Sequence, residues 1–398
     1  MDPEIEQVQN ISDFNQQSHE VTPFKMSISR NMNKKKITLI VAAVLVVLLL
    51  VGGYYLYTTG QSSVILSPIV DSDKSGLLNK NNVIAPLTGE LYTKEESDPW
   101  INVRPLAVMI NNHTDARPQS GLVYADIIYE VTAEGGITRY LAFFNTTIPE
   151  KIGPVRSTRE YYLVIVKELG DAMLMHIGWS PQALVAIESW PVRSLGRGGA
   201  TFWRDNPRNV ATEHTAYVNG KDLLDLGMEL GWEGVSEFTL WEFKDDPVTT
   251  ASDGTQLPPA TKITIDFWYP GDFSANWVYN VESNSYLRSI GYDDAGAPIP
   301  DKDQETGEQV EVKNLLVQFA AESSIVGDDK SRLEYELMGS GDGLVFIDGV
   351  VHKVTWSKED RDSRTLYYDT NGNPVKFNRG KFWISIVPDR NTEQVVYE

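Results

Sequence analysis

"STREYYLVIVKELGDAMLMHIGWSP", Ser157–Pro181, is the stretch whose reading decides the fold class. Ser157 followed three residues later by Glu160 has the form of a capping box, the run Tyr161–Val166 is apolar, and Gly170 is a C-terminal stop, so a helix is expected here. "DAMLMHI" (Asp171–Ile177) then reads as a buried strand. Ser180 followed by Pro181 marks the start of a second helix, because the missing proline N–H has no partner to lose in a first turn. Helix, buried strand and helix in succession point to an α/β layer.

Working outward, "PLAVMI" (Pro105–Ile110) and "ITRYLAFF" (Ile137–Phe144) read as strands, and "ADIIYEV" (Ala125–Val131) as strand or helix. Beyond Gly231 the character turns to strands: "KITIDFWYP", "NWVYNVESNSYLRSIGY", "NLLVQFA" and "RLEYELMG". "LVFIDGVVHKVTW" places Asp348-Gly349 between two apolar runs, a hairpin signal, and "TLYYDTNGNPVKF" repeats it with Asn371-Gly372. "GSGDG" (Gly339–Gly343) reads as a tight turn. The polar stretch Lys244–Ala260 is the best internal boundary. The expected organisation is an α/β part over 84–244 and a β-rich part over 245–398.

The chain has 398 residues, a formal net charge of −20 and no cysteine. Disulfides, thiol nucleophiles and thiolate metal sites are thereby excluded, and an acidic chain is a poor partner for nucleic acid. Ile37–Tyr57, "ITLIVAAVLVVLLLVGGYYLY", carries no charge and has the length that crosses a bilayer. Arg30 and Lys34–Lys36 precede it, and no charge follows until Asp71, so the positive-inside rule places residues 1–36 in the cytoplasm and the bulk outside the cell membrane. The alternative for this run is a secretory signal peptide, but no clean cleavage site follows it. Residues 58–83 read as a linker.

"KIGPVRSTR" sets Lys151, Arg156 and Arg159 just before the expected helix. Cations oppose the positive end of a helix dipole, and a bound anion would remove that conflict. The competing reading is internal pairing with Glu130 or Glu134 from "YEVTAEGG". "NNHTDARPQSG" (Asn111–Gly121) and "HIGWSP" (His176–Pro181) each follow an expected strand, where ligands collect if the sheet is parallel. The candidate ligand-binding set is therefore Asn111, Asn112, His113, Arg117, Glu130, Glu134, Arg139, Arg156, Ser157, Arg159, His176 and Trp179. The histidines lack metal-ligand spacing. His113, His176 and His214 could meet Glu130 or Glu213 around a divalent ion, but neither a metal nor a cofactor is expected. No P-loop, Gly-rich dinucleotide fingerprint, metalloprotease helix or nucleophile-elbow motif is present.

The stretches "RPLAVMINNHTDARPQSGLVYADIIYEVTAEGGITRYLAFF", "KIGPVRSTREYY", "DAMLMHIGWSP" and "NLLVQF…LMGSGDGLVFIDG…NGNPVKFNRGKFWISIVP" resemble the YerB-like family of bacterial cell-surface lipoproteins, from about Pro86 to Pro388. The resemblance implies two adjacent domains of unknown function and a three-layer β-β-α sandwich. Some members are described as periplasmic binding proteins. The lipobox cysteine is missing here, and the transmembrane segment would replace the lipid. Two functional readings stand: a module of the envelope binding a wall glycan, another anionic ligand or a membrane-bound partner protein, and a wall hydrolase or transferase using Glu130 or Glu134 with His113 or His176 and Arg156.

Overall fold

The computed structural model describes residues 82–234, 237–245 and 247–398. The expected membrane segment Ile37–Tyr57, the tail before it and nearly all of the linker lie outside these residues. Among the described residues, no helix is long and apolar enough to cross a membrane. The described residues belong to one compact unit.

The first half supplies strands β1 (Leu106–Asn111), β2 (Ile127–Thr132), β3 (Thr138–Phe144) and β4 (Met173–Met175), with helices α1 (Glu160–Glu168), α2 (Pro181–Ser189) and α3 (Gly220–Glu229). The second half supplies β5 (Lys262–Ile265), β6 (Ala275–Asn280), β7 (Ser285–Tyr292), β8 (Pro298–Pro300), β9 (Asn314–Ala320), β10 (Gly339–Ile347), β11 (Val350–Lys358), β12 (Leu366–Asp369), β13 (Phe382–Pro388) and β14 (Val395–Tyr397). "ADIIYEV" is thus a strand.

Nine strands form one mixed sheet in the order β12-β11-β10-β9-β13-β2-β3-β1-β4. β13 lies parallel to both β9 and β2, so a strand from the far end of the chain joins the two halves. Every residue of β13 is buried, as its run "FWISIVP" requires of a central strand covered on both faces. Glu242–Lys244 also pair with Lys376–Asn378 across the expected boundary. The second expected hairpin, at Asn371-Gly372, therefore closes by a single bridge, Tyr368 to Pro374, while its far arm pairs elsewhere.

Alternation in the strands divides two cores. Ala107, Met109, Tyr129, Val131, Leu141 and Phe143 face α1 and α2. Leu106, Val108, Ile110, Ile128, Tyr140 and Phe144 face a second sheet, β8-β7-β6-β5-β14, through Ile263, Ile265, Trp277 and Tyr286. The result is mixed α+β: a helical layer, the nine-stranded sheet and the smaller antiparallel sheet.

Three local expectations change. α1 begins at Glu160 with Arg159 as its N-cap and no side-chain cap bond, so Ser157 is not the capping residue. "GSGDG" opens β10 instead of turning. Gly341 packs where a Cβ would lie 2.7 Å from the Trp356 indole nitrogen, and Gly343 where one would lie 2.8 Å from the Val317 carbonyl, so these glycines serve close packing in a strand. The neighbours of β1 are of mixed direction: β3 is antiparallel and β4 parallel. The hairpin at Asp348-Gly349 forms as its residues dictate, both with positive φ (57° and 74°).

Candidate functional site

The rim at the C-terminal end of β1 is built by backbone pairing. Lys151–Arg159 runs extended there: the Asn111 N–H donates to the Pro154 carbonyl (2.8 Å) and the Arg156 N–H to the Met109 carbonyl (2.9 Å). On its other side the Ile177 N–H donates to the Arg156 carbonyl and the Thr158 N–H to the Gly178 carbonyl, both at 3.1 Å. Gly178 has φ +84°, and a Cβ there would come within 3.3 Å of the Ser157 Cβ. The loop after β4 thus lies directly against the cationic segment. Arg139, paired with Asn111 in the sheet, opens β3 at the same rim.

Glu134, in the turn between β2 and β3, stands between two guanidiniums. Arg159 Nη2 donates to Oε2 at 2.9 Å and its Nε to Oε1, while Arg139 Nη2 donates to Oε2 at 3.0 Å. Burial alone would raise the Glu134 pKa, but the hydrogen bond from Arg159 and the charges of Arg139 and Arg159 hold it below the usual range. The Ser157 hydroxyl lies 3.1 Å from Arg159 Nη1 and 3.4 Å from Arg139 Nη1. Arg156 is different. Its guanidinium makes one long contact, 3.4 Å, to the Glu213 carbonyl, and among the described residues it has no ion pair. Burial, then the like charge of Arg139, push its pKa down.

Beside Arg156, the rings of His113 and His214 stack with centroids 4.4 Å apart. The Asn111 amide nitrogen donates to the Glu213 carbonyl (3.3 Å) and to His214 Nδ1 (2.8 Å). One potential ligand atom each of His113, Asp115 and His214 falls within 4.8 Å of the others, a spacing that would suit a metal ion.

Residues 87–233 match the N-terminal domain, and residues 263–384 the C-terminal domain, of the family described as protein of unknown function (DUF3048). A relative from Bacillus subtilis (strain 168), named as a candidate lipoprotein, YerB, is 32% identical over 315 residues, 78% of this chain and 88% of the relative. The chain belongs to the YerB-like family. The crystal structure of the Bacillus subtilis YerB protein superposes with a TM-score of 0.66 at 30% identity, covering 79% of this chain and 99% of that one.

In this YerB-like chain, the expected site residues separate into groups. Glu134, Arg139, Arg156, Ser157 and Arg159 come together, with Asn111 and His113 beside them. Glu130 does not join them. Alternation along β2 turns it to the other face, where it is fully buried, accepts from Thr138 and Trp383, and pairs with Arg288 of the small sheet at 2.9 Å. That environment gives it a structural role and no route to a ligand. Asn112 is buried and saturated by Thr138, Arg117 and Gln119. Arg117 turns to the small-sheet side, donating to Asn112 and to the Asp272 carbonyl (2.7 Å) and lying over Phe273. His176 is buried with both nitrogens engaged, Nδ1 by the Gly178 carbonyl and Nε2 by the Ser194 hydroxyl; burial pushes its pKa to about 4. Trp179 is 41% exposed, with Arg197 over its ring. Asp115 and His214 were not in the expected set. His214 arrives from a 3-10 turn a hundred residues downstream, held where Val218 bridges to Ile152, and no local pattern marks it.

Proposed function

We propose that this chain is a membrane-held protein of the bacterial envelope whose cationic rim binds an anionic group of an envelope ligand. The observation that carries the reading is an imbalance of charge. Glu134 is already engaged by Arg139 and Arg159, and the hydrogen bond that Arg156 makes to Glu213 goes to the carbonyl, the carboxylate attracting it without a hydrogen bond. A half-buried guanidinium beside like charges is stabilised by an incoming anion, and a charge-assisted hydrogen bond is the strong kind. Wall glycans bearing acidic groups and membrane-bound partner proteins are the candidate ligands. The location rests on the uncharged Ile37–Tyr57 segment with its preceding cations, and the lipoprotein name of the relative is in keeping with it. The anchor is a single span with the N-terminus in the cytoplasm.

Arg156→Ala tests the reading. A hydrogen bond to a charged group contributes about 1.5–3 kcal/mol, so affinity for wall fragments should fall roughly ten- to a hundredfold. The melting temperature should stay within about 1 °C of wild type, since no carboxylate is left unpaired. A large drop in melting temperature, or unchanged binding, refutes it.

A further inference from the structure

We infer that the anionic group is a tetrahedral phosphoryl oxyanion, held by Arg156 together with the Nε2–H groups of the stacked His113–His214 pair. This rests on the anion-binding reading above and names the chemistry of its ligand.

The spacing of His113, Asp115 and His214 first suggests a metal, but the hydrogen bonds around the rings decide otherwise. Asn111 Oδ1 accepts from the His113 backbone N–H at 3.0 Å, which fixes the direction of its amide. Its NH2 group is therefore the one that faces the Glu213 carbonyl and His214 Nδ1. A donor at 2.8 Å makes His214 Nδ1 an acceptor, and the proton of a neutral ring must sit on Nε2. His113 follows the same logic: its Nδ1 faces the Asp115 backbone N–H at 3.1 Å. A histidine that ligates a metal through Nε2 instead carries its proton on Nδ1 and donates it to a carbonyl or carboxylate. Here both Nδ1 atoms face donors, the reverse arrangement.

The same bond opposes protonation of His214, because an added Nδ1 proton would point at the Asn111 N–H group. Burial, then the charges of His113 and Arg156, lower the His214 pKa in the same sense. The charged groups around the pair are Asp115 and Glu213 on its own loops and Arg156 from the cationic segment. Arg204 is tied nearby to the Thr212 carbonyl and the Thr215 hydroxyl.

The cluster thus presents two imidazole Nε2–H groups and a guanidinium with most of its five N–H groups free of protein partners, flanked by the Asp115 carboxylate, whose Oδ2 lies 3.8 Å from His113 Nδ1. Acceptor-only ligands are oxyanions. A planar carboxylate is satisfied by one guanidinium fork. Donors arriving from three separate segments, the loop after β1, the turn at Thr212–His214 and the strand-like Lys151–Arg159, suit oxygens that point in three directions.

The test uses full-length protein in detergent, titrated calorimetrically with inorganic phosphate, poly(glycerol phosphate), phosphatidylglycerol micelles, acetate and Zn2+. At least one phosphate source should bind, and which one binds tells free ion, polymer and lipid headgroup apart. His113→Ala should weaken that binding about three- to tenfold, the range for one neutral hydrogen bond. His113→Gln, whose amide can replace the Nε2–H donor, should restore most of it. His214→Gln serves as the second variant, with a thermal melt to confirm folding. Acetate binding as tight as phosphate overturns the proposal, as does stoichiometric Zn2+ binding that His113→Ala abolishes. Phosphate binding lost in Arg156→Ala but unchanged in both histidine variants overturns this inference and leaves the anion-binding reading standing. No binding of any anion overturns both.

Discussion

Arg288 is the cation whose loss the fold should feel most. It lies on β7 of the small sheet, fully buried, and reaches across to Glu130 on β2 of the large one at 2.9 Å, while its other terminal nitrogen pairs with Asp301. Its guanidinium lies over Trp383 at 4.2 Å from the ring centroid. Burial alone would lower its pKa; Glu130, Tyr140 and Asp301 reverse this and raise it. Arg288→Met keeps much of the volume and removes the charge, leaving two buried carboxylates without their cation. Breaking a buried pair from one side costs about 3–5 kcal/mol. With an unfolding entropy of about 2.1 cal/mol/K per residue, a unit of roughly 315 residues has about 0.66 kcal/mol/K, so the melting temperature should fall by about 5–8 °C. Differential scanning calorimetry reads this directly. Adding Glu130→Gln and Asp301→Asn, which remove the stranded charges, should return part of the loss. A single Arg288→Met variant melting within about 1 °C of wild type would refute the claim that this ion pair holds the two sheets together.

Two further outcomes are expected. His176, with a folded pKa of about 4 against an ordinary 6.5, is neutral in the fold; the unfolded chain takes up the proton first as pH falls, so stability should decline from about pH 6.5 toward 4 by up to ~3 kcal/mol. His176→Gln should flatten that part of the profile of melting temperature against pH, and an unchanged slope would remove His176 as its cause. Protease added to intact protoplasts should digest the large C-terminal part of the chain, whereas survival of full-length protein would contradict an external location.

Local chemistry was legible along the chain. Ser180-Pro181 starts α2 and Asp348-Gly349 turns the β10–β11 hairpin, because each signal acts over two to four residues and owes nothing to distant packing. The apolar runs of β1, β3 and β9 announced strands for the same reason. Which cations pair was not legible. Alternation in β2 sends Glu130 to one face of the sheet and, with the turn that follows, leaves Glu134 at the rim on the other side. Only the arrival of Arg288, more than 150 residues later, shows that Glu130 already has its partner. Ser157 had the spacing of a cap, yet Arg139 and Arg159 hold its hydroxyl and the helix starts three residues later. His214 reaches His113 through long-range pairing, Val218 with Ile152 and Ala216 with Val155. Residue type and short spacing set the strands, turns and the excess of positive charge in "KIGPVRSTR". The tertiary structure decided which of those charges are neutralised, because electrostatic partners are chosen by distance in space, and that distance depends on strand order and facing that no local stretch encodes.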